Sequence, residues 1–536
     1  MLGVAVGCLL AYAYLLPSVS ATIAPTLDRR ANCEDFASYS ARPEGTPSKG
    51  PLGLPYMRPA VGCRTFNSTA VEKVVANLTS RMKDPDLARQ NTYTNTLDTT
   101  VKWFNDNLTF VVTGDIPAMW LRDSSNQFKV YLPLMAQDPP LQQLTRGVIN
   151  LQAQYIGEFP YCNAFQPPPE SAKCCSGDTG ASISPPDDMS IVWTCGYELD
   201  SLLSFLQLSR RYFDFSGDKS IFTFNNGAWF NAVENILQVI HDQAVPTYDS
   251  AGNVISFYNI SGPNQHRIYS NPPRIQCRPN VHQIGTTYRP SDDVVYFPYN
   301  IPHQAMAIVE LRGLASLLKQ VNLRPDIQAT ATSRANTVEA ALWKWGTVLT
   351  KDWGEVFAYE VDGFGGAAIQ DDANVPSLVS IPYLGFVNAT NPIYANTRKM
   401  VLSTQGNPYY GFGPVIRGVS SPHIDEKHVW PMGLITEVVT STNDADILLK
   451  LEYLKNTTTG LGLMHESTPH TSLRLRAGSE PAAAYVGVNT HNVQDYTRSW
   501  FAWANSYFGE AILQLAETKP HLLFKDGKPF SLSSIL

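Results

Sequence analysis

Residues 301–349 read IPHQAMAIVELRGLASLLKQVNLRPDIQATATSRANTVEAALWKWGTVL. Apolar residues recur three and four positions apart over 301–321 and again over 325–349, as they do on one face of an α-helix. Only a short turn, residues 322–324, separates the two runs. The stretch therefore predicts two helices that form a pair.

The same periodicity runs through most of the chain. It predicts nine further helices, over Thr69–Met82, Asp86–Phe104, Ala118–Ala136, Pro140–Ile156, Met189–Phe213, Asn225–Asp242, Val429–Ser441, Asp444–Asn456 and Thr497–Glu517. Long irregular segments lie between the helices, and no segment alternates strand and helix in the manner of a parallel sheet. We therefore predict an all-α toroid of six inner and six outer helices, with long loops and short β-hairpins at the end that builds the site.

Length and charge narrow the possibilities further. The 536 residues allow three or four average domains, but no linker separates them, so one catalytic domain over 69–536 is the better interpretation. The chain has 40 basic and 47 acidic residues, and its charges are interspersed rather than clustered. A nucleic acid is therefore not an expected partner. The sequence leaves the oligomeric state open.

The N-terminus has the features of a secretory leader. Residues 2–16 are apolar and uncharged but too few to span a bilayer, and Val19 and Ala21 fit the −3 and −1 positions of a cleavage site. We predict a signal peptide over residues 1–21, an extended arm over 22–68, and no membrane anchor.

Sequons and cysteines favour a secreted, N-glycosylated protein. Asn-x-Ser/Thr sequons stand at Asn67, Asn77, Asn107, Asn259, Asn388 and Asn456. Seven cysteines follow the leader, which predicts up to three disulfides and one spare thiol. A Cys33–Cys63 bond would tie down the arm, and the other pairs stay open. The adjacent Cys174 and Cys175 lack the spacing of a zinc site.

The first cluster that carries chemistry lies at the start of the helix predicted over Ala118–Ala136. Trp120, Arg122 and Asp123 combine an apolar ring, a planar hydrogen-bond donor and an acceptor for paired hydroxyls. An N-terminal Asp beside an ordinary ion pair would explain the cluster without any function.

The second cluster contains two adjacent carboxylates, Asp292 and Asp293. Only one of them can cap a helix. Neighbouring carboxylates resist joint ionisation, so one of the pair is suited to keep its proton as a general acid.

Two further clusters add a base and aromatic rings. A glycine-rich segment leads to His465 and Glu466, and because residue 469 is Pro the second His of a zinc-protease helix is absent. Glu466 is therefore preferred as a free general base.

The last cluster joins His423, Trp430 and Asn505 with two further tryptophans, for which core packing is an equally good explanation. Asp371 and Asp372 lack the spacing of a calcium loop. Carboxylates with aromatic rings are typical of sugar hydrolysis.

Eight blocks in order resemble glycoside hydrolase family 125. They are TGDIPAMWLRDSS (113–125), YELDSL (197–202), RPSDD (289–293), EVDGFG (360–365), DDANVPSL (371–378), HVWPM (428–432), LMHES (463–467) and TRSWFAWAN (497–505). That family comprises exo-acting, metal-independent α-mannosidases with an (α/α)6 barrel that cleave α-1,6-linked mannose with inversion. The resemblance implies this fold, a mannan or N-glycan-type α-mannoside as substrate, and no metal or cofactor.

The resemblance also assigns roles to residues. It makes Asp292 the general acid and Glu466 the general base, with carboxyl groups roughly 6.5–9.5 Å apart as inversion requires. Asp293 would orient Asp292 and is the alternative acid, and His465 stands beside the base. The wall of the terminal mannose subsite would contain Trp120, Arg122, Asp123, Arg289, His423, Trp430 and Asn505.

The chain departs from the family in places, and other functions stay open. Thr468 stands where the family commonly has Phe, and the extra residues 469–492 follow it. Glu437 stands where bacterial relatives have Gln, which makes it a second, less favoured candidate for the base because it lies inside a predicted helix. The alternatives are another (α/α)6 exo-glycosidase of glucoamylase or trehalase type, and a non-catalytic mannan-binding cell-wall protein. The latter would not need both Asp292 and Glu466.

Overall fold

The structure, a computed structural model, describes residues 33–172, 182–261, 278, 281–423, 425–465, 488–489 and 499–535. These residues are mostly helical. Their α-helices are α1 (Phe36–Tyr39), α2 (Thr69–Arg81), α3 (Asn95–Thr99), α4 (Leu121–Lys129), α5 (Pro139–Glu158), α6 (Leu199–Ser216), α7 (Ala228–Asp242), α8 (Ile301–Val321), α9 (Pro325–Trp345), α10 (Ile381–Leu384), α11 (Pro392–Val401), α12 (Pro431–Thr440), α13 (Asp444–Asn456), α14 (Ala502–Thr518) and α15 (Pro520–Leu523).

Six of these helices form a closed inner ring. Helices α4, α6, α8, α10, α12 and α14 pack against one another in that order, and α14 packs against α4 to close the ring. The next helix in the chain after each of the first five inner helices lies outside the ring. These outer helices are α5, α7, α9, α11 and α13, and α2 is the sixth. Burial agrees with this arrangement, because every residue of inner α4 is buried whereas outer α13 buries only one face. The predicted (α/α)6 barrel is therefore confirmed.

Local signals explain where several helices begin and end. Helix α8 starts after Asn300, whose side chain accepts a hydrogen bond from the His303 amide at 3.1 Å, and it ends at Asn322 in the left-handed region. The Asn443 side chain caps α13 by accepting from the amides of residues 445 and 446. Both helices have the bounds predicted from the sequence.

Other boundaries differ from the prediction. The helix predicted over Asp86–Phe104 is wrong: this segment forms a 3₁₀ turn, the short α3 and a strand. Its Thr and Asn side chains hydrogen-bond to backbone groups, as Thr99 does to the Asn95 carbonyl at 2.6 Å, and such bonds compete with a continuous helix. Helix α14 begins at Ala502 because Phe501 is extended and bridges to Gly114. Helix α11 was not predicted.

The strands of the described residues are short and pair antiparallel. They are β1 (Val101–Phe104), β2 (Thr109–Val111), β3 (Met119–Trp120), β4 (Ala164–Phe165), β5 (Ser182–Ser184), β6 (Val192–Thr194), β7 (Asn259–Ser261), β8 (Tyr299–Asn300), β9 (Thr347–Thr350), β10 (Gly354–Phe357), β11 (Glu360–Val361), β12 (Ala367–Ala368), β13 (Tyr410–Phe412), β14 (Arg417–Val419), β15 (His428–Val429) and β16 (Val488–Asn489). Strands β3, β8 and β15 directly precede the inner helices α4, α8 and α12. They therefore lie at the end of the barrel where those helices begin.

The segment from residue 33 to residue 68 lies on the body of the barrel. A Cys33–Cys63 disulfide closes part of it on itself, as predicted, and the Arg58 guanidinium donates to Asp98 at 2.7 Å. A second disulfide joins Cys162 to Cys195. Cys174, Cys175 and Cys277 lie outside the described residues. None of the described helices is both long and apolar enough to cross a bilayer.

Candidate active site

The inner helices surround a cavity at the end where they begin. Its empty volume, which includes the open space at its mouth, is about 420 Å³. The residues that line it are Thr113, Ile116, Trp120, Arg122, Asp123, Ser291, Asp292, Asn374, Trp430, Phe501 and Trp503. Trp120, Trp430 and Phe501 each immediately precede an inner helix, so the first turns of these helices supply most of the wall. We call this space the site cavity.

The Arg122 guanidinium is the charged centre of the site cavity. It is almost fully buried, and its Nη1 atom donates to Glu198 Oε2 at 2.7 Å while Nη2 donates to Asp292 Oδ1 at 3.3 Å. Carboxylate oxygens of Asp123 and Asp200 lie 3.4 and 3.6 Å from it. A planar fork with five donors suits this role, because it faces several carboxylates at once. Arg122 therefore fixes the positions of the acidic groups around it.

Asp292 stands at the tip of a hairpin that reaches Arg122. The hairpin closes through the bridge between Tyr288 and Val294 and through the Arg289 amide, which donates to the Asp293 carbonyl at 2.8 Å. Asp292 itself has a φ of 60°, a left-handed conformation that Asp tolerates better than most residues. Its side chain is 33% exposed, whereas that of Arg122 is 3% exposed. The carboxyl group thus lies at the rim of the site cavity.

Asp292 and Glu198 form a linked pair of carboxyl groups. Glu198 precedes α6, is fully buried, and accepts hydrogen bonds from Asn163 Nδ2 at 2.9 Å and Ser201 Oγ at 2.7 Å. Burial raises the pKa of Glu198 well above its usual value. Burial also opposes ionisation of Asp292 and is the largest single effect, but the Arg122 guanidinium and the hydrogen bond to Glu198 together outweigh it and hold the pKa of Asp292 below its usual value. The two environments therefore favour a proton on Glu198 and a charge on Asp292.

Arg289 supports the hairpin from behind. Its side chain is completely buried, and Nε donates to Glu360 Oε1 at 2.6 Å while Nη1 donates to Asp293 Oδ2 at 3.2 Å. Arg289 is not among the residues that line the site cavity, and neither is Asp293. The structure thus places both predicted binding residues in the support of Asp292.

A second support holds the turn from the other side. The Ser291 hydroxyl donates to Asp372 Oδ2 at 2.5 Å, and Asn374 Nδ2 donates to the Pro290 carbonyl at 2.9 Å. Both partners come from the segment that the sequence singled out for its Asp pair. Asp372 and Asn374 of this segment therefore hold the hairpin.

Several polar atoms of the cavity wall have no hydrogen-bond partner among the described residues. They are the indole Nε1 atoms of Trp120 and Trp430 and the amide oxygen of Asn374. The His423 ring meets that of Trp430 edge-on, with centroids 6.4 Å apart, and its buried Nε2 atom likewise has no partner among these residues. Buried polar groups are normally satisfied, so these atoms are available to a polar ligand.

Asn505 and His465 hold the segment that leads to the predicted base. Asn505 is fully buried, and its side chain exchanges hydrogen bonds with both the amide and the carbonyl of Met464, at 2.9 and 3.0 Å. His465 is buried with Nε2 3.2 Å from Thr459 Oγ1. Neither lines the site cavity. Glu466 lies outside the described residues.

The second candidate for the base has a structural partner. Glu437 is buried inside α12, and its Oε2 lies 2.5 Å from Lys450 Nζ of α13. The ion pair joins an inner helix to its outer neighbour. Glu437 is not among the residues that line the site cavity.

Sequence reasoning missed several functional residues. Glu198, Asp200 and Asn374 stood in blocks that carried the family resemblance, but no role was assigned to them. Of the two further tryptophans in the last cluster, Trp503 lines the site cavity, whereas Trp500 precedes α14 and donates its indole N–H to Thr99 at 3.0 Å. The signal that could have found Glu198 is its position directly before α6, with a second acid, Asp200, in the first turn of the same helix.

The described part of the chain contains no group of three or more His, Cys, Asp or Glu side chains arranged to hold a metal ion.

Comparison with known proteins gives consistent relatives. The family of metal-independent α-mannosidases, GH125, matches residues 84–474 and 478–513. The chain is 43% identical to the meiotically up-regulated gene 157 protein of Schizosaccharomyces pombe over 507 aligned residues. The aligned region covers 92% of this chain and 94% of that protein. It is also similar to a solved structure of a metal-independent α-mannosidase from Streptococcus pneumoniae in a non-productive complex with α-1,6-mannobiose. There the TM-score is 0.73 and the identity 28%, over 84% of this chain and 98% of the other.

Proposed function

The chain belongs to glycoside hydrolase family GH125, the metal-independent α-mannosidases, and we propose that it removes terminal α-1,6-linked mannose with inversion. The substrate is a mannan or an N-glycan-type oligosaccharide. Asp292 acts as the general acid and Glu466 as the general base. The Streptococcus pneumoniae relative, whose structure contains α-1,6-mannobiose, supports the choice of linkage.

The observation that carries the proposal is the site cavity with its unpartnered polar groups. The Trp120 and Trp430 indole N–H groups and the Asn374 oxygen point to a ligand rich in hydroxyls, which both donate and accept hydrogen bonds. The buried Arg122 and Asp123 side chains form the inner end of the cavity, and the more exposed Asp292 stands at its rim. Such a site suits removal of one terminal sugar.

Asp292 is positioned to protonate the glycosidic oxygen. Arg122 lowers the pKa of Asp292, while the neighbouring Glu198 has a pKa raised by burial and so favours its protonated form. A sugar that covers Asp292 excludes water and so disfavours its charge. We infer that the pair passes its proton to Asp292 when substrate is bound.

The position of Met464 supports Glu466 as the base. Asn505 stands in the first turn of α14, the same turn that supplies Trp503 to the cavity wall, and it holds the Met464 backbone. Glu466 follows Met464 by two residues in the chain. Glu466 would draw a proton from the water that attacks the anomeric carbon.

Hydrolysis of α-1,6-mannobiose followed by NMR tests the proposal. We expect the wild type to release β-mannose first, and the Asp292→Ala and Glu466→Ala variants to lose activity by about 10²-fold or more. Asp214→Asn is the matched control, because Asp214 is a half-exposed acid near the far end of α6. Appearance of the α-anomer first, release of glucose from glucosides instead, or full activity of Glu466→Ala would refute the assignment.

We also propose that the protein enters the secretory pathway and carries N-glycans. Asn67, Asn107, Asn388 and Asn456 are exposed, as glycan acceptors must be, and the two disulfides are typical of an oxidising compartment. A loss of mass on treatment of the secreted protein with N-glycosidase checks this, and an unchanged mass would contradict it.

A further inference from the structure

A fully buried histidine contacts one of the acids around Arg122. His303 stands in the first turn of α8, where its amide donates to the side chain of Asn300 at 3.1 Å. Its Nε2 atom lies 2.9 Å from Oδ1 of Asp200, and neither side chain is exposed. His303 is not among the residues that line the site cavity, so it is not placed to contact a sugar itself.

Asp200 joins His303 to the Arg122 guanidinium. Its Oδ2 atom lies 3.6 Å from Arg122 Nη1, the same nitrogen that donates to Glu198 at 2.7 Å. Glu198 caps α6, and Asp200 stands in the first turn of that helix. Helices α4, α6 and α8, which carry these groups, are neighbours in the inner ring. A chain of polar contacts thus runs from Asp292 at the rim through Arg122 and Asp200 to His303.

His303 is the closer of the two basic neighbours that Asp200 has in the described part of the chain. A buried carboxylate is costly unless nearby charges or hydrogen-bond donors balance it. Arg122 faces four carboxyl groups, and that of Asp200 is the most distant of them. A histidine ring can present an N–H to a carboxylate whether the ring is neutral or charged. We therefore expect His303 to stabilise the charge of Asp200.

The charge of Asp200 affects the proton on Glu198. Burial raises the pKa of Glu198 most, and the Arg122 guanidinium opposes this effect. The carboxylates of Asp292 and Asp200 raise that pKa further, because each adds a negative charge close to Glu198. An ionised Asp200 thus helps to keep a proton on Glu198, the neighbour that would supply it to Asp292. Without the charge of Asp200, Glu198 would release its proton at a lower pH.

We infer that His303 is a positioning residue that acts through Asp200: it keeps this carboxylate charged and in place beside Arg122. The inference rests on the proposed function. No proton leaves His303 during the reaction, since its ring only contacts Asp200. The charged groups around this contact are Arg122 and Asp123 from α4, Glu198 at the cap of α6, and Asp292 from the hairpin.

The pH dependence of kcat/KM on α-1,6-mannobiose separates this role from a merely structural one. Activity should fall at high pH, where the Glu198–Asp292 pair loses its proton. Asp200→Asn removes the charge, and His303→Leu removes its closer partner. We expect both variants to move the high-pH limb down by about 0.5–1 pH unit. Because both act on the same charge, the double variant should move it no further than Asp200→Asn alone.

His303→Gln is the rescue variant, because its amide N–H can take the place of the ring Nε2–H. It should keep the high-pH limb of the wild type. If His303→Leu does not fold, His303→Asn replaces it, since the shorter Asn side chain cannot reach Asp200 in the same way. His303→Asn should then move the limb as Asp200→Asn does.

Two surface variants are the matched controls. His241→Leu changes an exposed histidine in the last turn of the outer helix α7, and Asp214→Asn changes a half-exposed acid near the far end of α6. Both should keep the wild-type pH profile. A high-pH limb that stays in place in Asp200→Asn or in the folded His303 variant, even with a lower rate at every pH, would overturn the inference, and so would additive shifts in the double variant. A wild type without activity on α-1,6-mannobiose would instead refute the proposed function.

Discussion

A single residue, Arg122, balances the negative charge of the acids in the site. Four carboxyl groups, those of Asp123, Glu198, Asp200 and Asp292, lie within 3.6 Å of its guanidinium nitrogens. Burying acids without a cation is expensive, because water no longer solvates their charge. The same contacts hold Asp292 at the rim of the cavity. We therefore expect Arg122 to contribute both to stability and to catalysis.

We predict that Arg122→Lys impairs both properties. Lys keeps the charge but presents a compact ammonium that cannot contact Glu198 and Asp292 through separate donors. We expect kcat/KM on α-1,6-mannobiose to fall by about 10²-fold or more and the free energy of unfolding to fall by about 1–3 kcal/mol.

Steady-state kinetics and thermal unfolding measure the two effects of Arg122→Lys. Arg312→Lys is the control, since Arg312 makes a comparable pair with Glu339 on the exposed surface, where such pairs contribute little. Near-normal kinetics of Arg122→Lys would show that the fork geometry is not needed.

At the scale of the elements, sequence periodicity predicted helices well where the chain itself carries the boundary signals. Helix α8 has Asn300 as cap and Asn322 at its end, and its predicted bounds agree with the structure. Helix α14 begins later than predicted, because a contact with Gly114 from a distant part of the chain extends Phe501. Tertiary contacts of this kind leave no periodic signal.

The sequence likewise marked only those site residues that have a local signal. Adjacent acids and a lone Trp-Arg-Asp cluster marked Asp292, Arg122 and Asp123, which do meet in space. The partner Glu198 was not assigned, because its role depends on the packing of α6 against α4. Asn505 was expected in the sugar wall, yet its amide is fully engaged by Met464. A sequence shows which residue stands at a position, but it does not show which group the side chain of that residue contacts.

The two disulfides differ in what they support. Asn163 follows Cys162 directly, and its side chain accepts from the Gly196 amide at 3.0 Å and donates to Glu198 at 2.9 Å. The Cys162–Cys195 bond therefore fastens the strands behind the Arg122 cluster, whereas Cys33–Cys63 fastens the N-terminal segment.

We predict that removing each bond has a different effect. The sequence separations are 33 and 30 residues, so each bond should stabilise the fold by a similar amount, about 3–4 kcal/mol. Replacing Cys162 and Cys195 together by Ser should lower kcat/KM by about tenfold through loosened support of Glu198, while the Cys33 and Cys63 double variant should keep it within twofold.

Kinetics below the unfolding temperature of both double variants measure this difference. Equal activity of the two variants would contradict a supporting role for Cys162–Cys195.

At the scale of the whole molecule, the barrel gathers helix N-termini at one end. Trp120, Glu198, Trp430 and Phe501 each occupy the cap position of a different inner helix. The N-terminus of a helix carries a partial positive charge that favours nearby anions. Together with Arg122, these ends favour negative charge in the site cavity. The fold thus supplies the site's electrostatics as well as its shape.

A buried acid precedes the shortest helix of the inner ring, and we expect it to make stability sensitive to pH. Helix α10 is the shortest inner member, and the turn before it is held by Asp371, which accepts the amides of Leu378 at 2.8 Å and Val379 at 3.1 Å. Burial raises the pKa of Asp371 to about 8. Below about pH 4 both the folded and the unfolded chain hold this proton. As pH rises towards 8, only the unfolded chain releases it, so the free energy of unfolding falls by up to about 1.4 kcal/mol per pH unit and levels off above pH 8.

We predict that Asp371→Asn removes this contribution. Its unfolding temperature should change less between pH 5 and pH 8 than that of the wild type, although the lost hydrogen bond to one amide lowers it at pH 5. Thermal unfolding at several pH values measures the difference in slope. Asp214→Asn, which changes a half-exposed acid on α6, should keep the wild-type slope. If Asp371→Asn keeps that slope as well, Asp371 is ionised throughout and its two amide donors outweigh the cost of its burial.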